Sequence, residues 1–225
     1  MQGLLTWLGY GLCHQLPERS FFAGGYQLPV CARDTGIYIG FVVSLAIVAV
    51  LHRGRRPSGF PRPLLLGIAF LMVAAMAADG FTSYASLRDT SNDLRLLTGL
   101  LAGYALAVVV VPILNGQLWS RASDEPPLNR WPLLVAWLLS IAPVFVLVRW
   151  VLPFSGVVYP VLVSVAIVAT FTVINLVVIC LIPRFERGAT TLVSAWPPVL
   201  VGVVVAFLEL AFVGWIRDLL IGLVS

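Results

Sequence analysis

The chain has 225 residues, 60% of them hydrophobic and only 11% charged, with a formal net charge of +4. A mean hydropathy of +1.00 excludes an ordinary soluble domain, about a quarter of which is charged. Several apolar runs reach the ~20 residues a bilayer-crossing helix needs, so the composition describes an all-α, polytopic transmembrane helix bundle.

The first polar stretch comes at once. Met1 to Leu12 lacks a basic leader and its apolar run is short for a signal peptide. It reads as an interfacial or re-entrant segment with Trp7 and Tyr10 at headgroup level. Then come C-H-Q-L-P-E-R-S-F (Cys13 to Phe21) and P-V-C-A-R-D-T-G-I-Y-x-G (Pro29 to Gly40). They hold two of the three cysteines, one of the two histidines and two adjacent Arg–acid pairs, Glu18–Arg19 and Arg33–Asp34.

About six spans follow. The predicted segments are Thr35 to Leu51, Pro63 to Ala78, Leu94 to Leu114, Trp131 to Leu152, Val157 to Ile182 and Leu192 to Ile216. They form one integral membrane domain over 1–225. It divides into an outer polar segment (1–34), three helices with an outer polar loop (35–114) and three further helices (131–225). Gly36-x-x-x-Gly40 and Gly99-x-x-x-Gly103 each put two glycines on one helix face, which predicts close packing of the first and third spans. The composition predicts no nucleic-acid partner; the partner it implies is the lipid bilayer.

All fourteen basic residues are Arg. Arg53, Arg55, Arg56, Arg62, Arg121, Arg130, Arg184 and Arg187 fall in alternate loops. Excess Arg marks cytoplasmic loops, so the N-terminal stretch, the Asp79–Arg95 loop and both termini are expected outside the cytoplasm of a multi-pass cell-membrane protein.

The second polar stretch is D-G-F-T-S-Y-A-S-L-R-D-T-S-N-D-L-R, Asp79 to Arg95. Arg88, Asn92, Arg95 and Gly99 are spaced four, three and four apart, which on one helix makes a single stripe flanked by Ser91 and Thr98. Guanidinium groups on such a face suit a carboxylate or phosphate, because Arg donates two parallel hydrogen bonds to either. Alternatively they pair with Asp34, Asp79, Asp89 or Asp93 and anchor the helix end. Asp79 falls roughly 22 Å along its helix at 1.5 Å per residue. A carboxylate at that depth needs a partner, and Arg19, Arg33 and Arg95 are the candidates. The other reading of Asp79–Gly80 is a solvated helix-ending turn.

Cys13 and Cys31 admit three chemistries. A disulfide would close an eighteen-residue separation and contribute about 3 kcal/mol. A zinc or copper site would use Cys13, His14 and Cys31, with Asp34 as a further ligand, though no C-x-x-C or H-x-x-x-H spacing supports it. A working thiol would be Cys13 activated by His14 or an Arg. Cys180 reads as a small apolar residue. Glu209 and Asn175 are intramembrane polar groups, and Glu209 is expected to pair with Arg149 or Arg217.

The motifs C-H-Q-x-P-E-R-S-F, P-V-C-A-R-D-T-G-I-Y-x-G, D-G-F-T and R-x-x-S-N-D-L-R-x-x-T-G resemble those of a family of small prokaryotic membrane proteins known as a domain of unknown function. The resemblance covers roughly the first 105 residues. It implies an integral membrane protein with this polar signature and implies no activity.

Two functional classes follow. One is a membrane enzyme or receptor for an anionic or lipid-linked ligand. Arg19, Arg33, Arg88, Asn92 and Arg95 would bind it, and Cys13, His14, Asp34 and Asp79 would supply chemistry. The other is a non-catalytic transport, metal-binding or assembly subunit whose polar patch is structural or a partner interface.

Overall fold

The computed structural model describes residues 2–85 and 87–224. A short helix α1 (Gln2–Tyr10) leads into a two-stranded hairpin, β1 (Phe22–Ala23) and β2 (Tyr26–Gln27). Then come α2 (Ala32–Leu51), α3 (Pro63–Tyr84) and α4 (Asn92–Leu118). The next span, Trp131–Ser155, is broken into α5 (Trp131–Leu139), α6 (Ile141–Val146), a π turn and a 3₁₀ turn. The chain ends with α7 (Val158–Ile179) and α8 (Trp196–Val224). Among the described residues, six helical segments are long and apolar enough to cross a membrane, as the composition predicts.

Helix α4 is the hub. Leu96, Leu100, Ala107 and Val108 are wholly enclosed, packed by α2 and α3 along one side and α7 along another. The α2–α4 approach is glycine-mediated. A Cβ on Gly36 would stand 2.4 Å from Leu96 O, and one on Gly103 would stand 2.3 Å from Ile37 O. Only hydrogen fits there, so the backbones touch directly.

Buried polar side chains fasten neighbouring helices, as they must where no water competes. Trp137 Nε1 donates to Ser44 Oγ at 2.8 Å, and Tyr104 and Ser140 share a 3.1 Å hydrogen bond. Glu209 accepts from Asn175 Nδ2 at 2.8 Å. The expected Glu209 partners are engaged elsewhere. Arg149 pairs with Asp93, and Arg217 donates to the carbonyls of Tyr10 and Cys13. The Arg149 and Arg217 pairings each join segments more than fifty residues apart, a distance no local pattern spans.

The three Arg-rich connections form one layer. Ser58 N donates to Ser123 O at 2.7 Å, Ser120 N donates to Ala189 O at 2.9 Å, and the Arg56 guanidinium lies 3.4 Å from the Trp119 ring centre. His52 is 5% exposed and its Nε2 accepts the Leu128 N–H at 3.1 Å. Burial lowers its pKa; Glu125 opposes this, while Arg55 and Arg130 reinforce it. The neutral ring is therefore favoured by the fold. This contribution to stability is intact above the ordinary value near about 6.5 and is lost as pH falls below it, because the unfolded chain takes the proton first. The detergent-unfolding midpoint should fall between pH 7.5 and 5. His52→Gln should flatten that slope, and an unchanged slope would refute the assignment.

Candidate functional site

At the opposite end, the segment between α1 and the hairpin (residues 12–19), the N-terminus of α2 and the adjoining ends of α3 and α4 line a cavity of about 400 Å³. Its lining includes Cys13, Cys31, Asp34, Arg19, Arg33 and Arg95, with His14 and Tyr84 also on its wall.

The thiols are positioned by backbone geometry. Gln15 adopts φ +56° and turns the chain after Cys13. Its side chain donates to Thr6 O at 2.7 Å and Pro29 O at 2.8 Å, tying α1 to the segment before α2. Nothing in the residue pattern marks Gln15 for this role, because its partners are backbone carbonyls. Cys31 is the N-cap of α2. Cys13 Sγ therefore sits beside a helix N-terminus, where donor N–H groups and the dipole favour negative charge. It accepts N–H hydrogen bonds from Cys31 at 3.3 Å and Gln15 at 3.5 Å. Cys31 Sγ donates to Asp34 Oδ2 at 3.2 Å.

Cys13 and Cys31 are both free thiols here. One ligand atom from each of Cys13, Cys31 and Asp34 lies within 4.8 Å of the other two. The exposed His14 lies outside that trio. The neighbouring Cys31 thiol lowers the Cys13 pKa to about 7; burial opposes this, the two backbone N–H groups add to it, and Asp34 works against it. Cys31 is pushed the other way by the neighbouring Cys13, by burial and by Asp34.

Beside the thiols lies an ion-pair cluster. Asp79 is within α3, which continues to Tyr84, so the helix-ending turn is not what forms. Its side chain is 3% exposed and accepts from Arg33 at 2.5 Å and Arg88 at 2.9 Å. Thr98 Oγ1 also donates to it, at 3.4 Å. Arg88 stands before α4, not on it. Ser91 caps that helix by accepting the Leu94 N–H at 3.3 Å, so the expected stripe exists only from Asn92 onward. A helical run from Arg88 would have needed Ser91 inside the helix, where its hydroxyl could not cap.

Arg95 differs from Arg33 and Arg88. It is 9% exposed, and its hydrogen-bond partners are neutral: Asn92 Oδ1 at 3.0 Å and Ser83 Oγ at 3.4 Å. Asn92 Nδ2 in turn donates to Glu18 O at 3.1 Å, linking α4 to the N-terminal segment. Among the described residues, no carboxylate forms a salt bridge with Arg95. Arg33 Nε is buried without a hydrogen-bond partner. The arrangement thus holds positive charge and unmet donors around a cavity floored by two thiols and a carboxylate.

Comparison with known proteins places this half of the chain. It is 36% identical over 110 residues to an uncharacterized protein of Methanocaldococcus jannaschii, covering 49% of this chain and 68% of that one. It is 40% identical over 98 residues to an uncharacterized protein of Methanothermobacter thermautotrophicus, covering 44% of this chain and 83% of that one. No solved structure matches the chain. Residues 13–109 match the model of the family described as "Predicted membrane protein (DUF2085)". That span runs from Cys13 into α4, as far as Val109, and takes in the whole cavity lining except Leu12. The chain belongs to this family of predicted integral membrane proteins.

Proposed function

We propose that this protein binds a phosphate- or carboxylate-bearing ligand at the non-cytoplasmic face of the membrane and presents the Cys13–Cys31 pair to it. The observation that carries this reading is Arg95, a buried guanidinium with neutral partners on the wall of a 400 Å³ cavity. A desolvated charge is costly unless matched, so an anion from outside the chain completes the site. Arg19 adds exposed positive charge at the mouth.

Asp79 fixes Arg33 and Arg88 in place and is consumed in doing so. Asp34 is the carboxylate left beside the thiols. Leu12, Leu16 and Tyr84 line the same cavity, which suits a ligand delivered on a lipid tail. The side is assigned from the Arg excess in the three opposite loops.

The test uses two membrane-impermeant methanethiosulfonates on intact cells, one sulfonate-bearing and one trimethylammonium-bearing, in a Cys180→Ser background. Unit charges ~8 Å apart interact by about 2 kcal/mol at an effective dielectric of 20, so the anionic reagent should react about tenfold faster or more. Arg95→Gln should collapse that preference. Equal rates for the two reagents, or labelling only after permeabilisation, would overturn the reading.

A further inference from the structure

We infer that Cys13, Cys31 and Asp34 form a three-ligand site for a thiophilic divalent cation of the zinc type, with its fourth position open to the Arg-lined cavity. The ligand set follows from geometry. Cys13 Sγ, Cys31 Sγ and an Asp34 oxygen lie within 4.8 Å of one another. Two atoms bound to one zinc at 2.0–2.3 Å in tetrahedral geometry stand roughly 3.3–3.8 Å apart, so rotamer adjustment closes the site.

Donor chemistry selects the metal. Two thiolates favour zinc over magnesium or calcium, and a carboxylate third ligand suits a divalent ion better than a copper(I) centre, which prefers sulfur alone. Asp34 lies three residues after Cys31, one turn along the start of α2, so the two ligands project from one helix face. Cys13 comes from the turn that Gln15 pins down.

The outer shell fits as well. Backbone N–H groups of Cys31 and Gln15 point at Cys13 Sγ. Such bonds stabilise a metal-bound thiolate and fix its direction. Without a cation, three acidic groups crowd one pocket, and the Cys31 proton is held between sulfur and carboxylate. Metal binding releases the thiol protons and replaces that shared hydrogen bond.

Three protein ligands and an open position describe a working centre and not a sealed structural one. The open position faces Arg19, Arg33 and Arg95. An anion held by Arg95 would therefore meet the metal directly. In this respect the inference rests on the anion-site reading, and it deepens that reading by supplying the electrophile to which the anion binds. His14, exposed on the cavity wall, lies outside the trio whose ligand atoms come within 4.8 Å of one another.

The experiment takes the full-length protein in detergent, reduced with a phosphine and stripped with a chelator. Cobalt(II) is titrated as the spectroscopic probe and then displaced by zinc. One cobalt per chain should bind, with the intense visible bands of a tetrahedral thiolate site and a sulfur-to-cobalt charge-transfer band. Cys13→Ser and Cys31→Ser should each weaken binding by at least about a hundredfold, the upper end of what outer-shell losses alone produce. Asp34→Asn should retain the charge-transfer band at reduced affinity, and His14→Ala should bind as the parent does. Detergent-unfolding midpoints check that each variant is folded. No tetrahedral cobalt spectrum in the folded parent, or the same spectrum in folded Cys13→Ser, would overturn the inference. So would a Cys13–Cys31 disulfide that reforms in preference to metal uptake.

The two readings fail separately. Arg95→Gln should lose the anionic-reagent preference and keep cobalt binding. Loss of cobalt binding with the anion preference intact removes the metal and leaves the anion site standing.

Discussion

Gly99→Val is expected to yield no folded protein, and Gly99→Ala to yield a severely weakened one. A Cβ on Gly99 would stand 2.0 Å from Arg33 O and 3.0 Å from Arg33 C. Those are backbone atoms, so no rotamer change can make room. The α2–α4 pair would have to separate by about an ångström along its whole contact. Overpacking a core typically costs 1–3 kcal/mol, and a rigid backbone clash belongs at or above the top of that range. Against a total stability on the order of 5–15 kcal/mol, about 3 kcal/mol or more is a severe loss for alanine, and the two further methyls of valine deepen the same clash. The carbonyl that is struck belongs to Arg33, so alanine also pulls that guanidinium away from Asp79. Gly67→Val is the control. Gly67 also lies in a spanning helix, and a Cβ there meets nothing within 4 Å. Yield of monodisperse protein and the detergent-unfolding midpoint are the readouts. A Gly99→Val protein as stable as Gly67→Val would show that α2 and α4 do not meet at these glycines.

That contact shows which features a sequence carries openly. Glycines four apart on two helices declare a face, and the face declares a close approach. The six spans were legible for the same reason: lipid admits long apolar helices and almost nothing else. The two polar stretches were legible as places, since the structure sets Cys13, Cys31, Asp34, Arg33 and Arg95 around one cavity.

What was not legible depended on lateral partners. The pattern ends the second span at Ala78 because Asp79 looks like a terminus. The helix continues to Tyr84 because Arg33, Arg88 and Thr98 satisfy the carboxylate from the side. The stripe beginning at Arg88 failed because a Ser three residues on competes as a cap. Adjacency in sequence makes His14 the expected companion of Cys13. The positive φ of Gln15 instead carries the chain back toward Pro29, and Asp34 meets the sulfurs. Arg149, expected beside Glu209, serves this end instead. It packs 5.3 Å from the Phe21 ring centre and pairs with Asp93, holding the broken fourth span against the hairpin. No local spacing encodes a pair 56 positions apart.

The second large effect is expected at Asp79, and its two readouts should move in opposite directions. Asp79→Asn keeps the size of the side chain and removes the charge that two guanidiniums share. Breaking a buried ion pair by deleting one partner costs about 3–5 kcal/mol, because the surviving charge stays desolvated. Arg88 is half exposed and can turn to water, so it contributes little of that cost. Arg33 cannot, since its side chain is 22% exposed and its Nε is already buried without a partner. The expected loss is therefore about 3 kcal/mol, the lower end of the range, seen as a fall in the detergent-unfolding midpoint. Arg33→Gln in the same chain should recover most of it, as a neutral amide pair replaces the orphaned charge. At the cavity the sign reverses. Arg33 lines it, and freeing Arg33 from Asp79 adds positive charge beside the thiols. The rate ratio of anionic to cationic thiol reagent should thus rise in Asp79→Asn and fall back in the Arg33→Gln double variant. A structural anchor alone would move stability without moving that ratio. If Asp79→Asn lowers both, the carboxylate is shaping the anion site itself and not merely restraining Arg33.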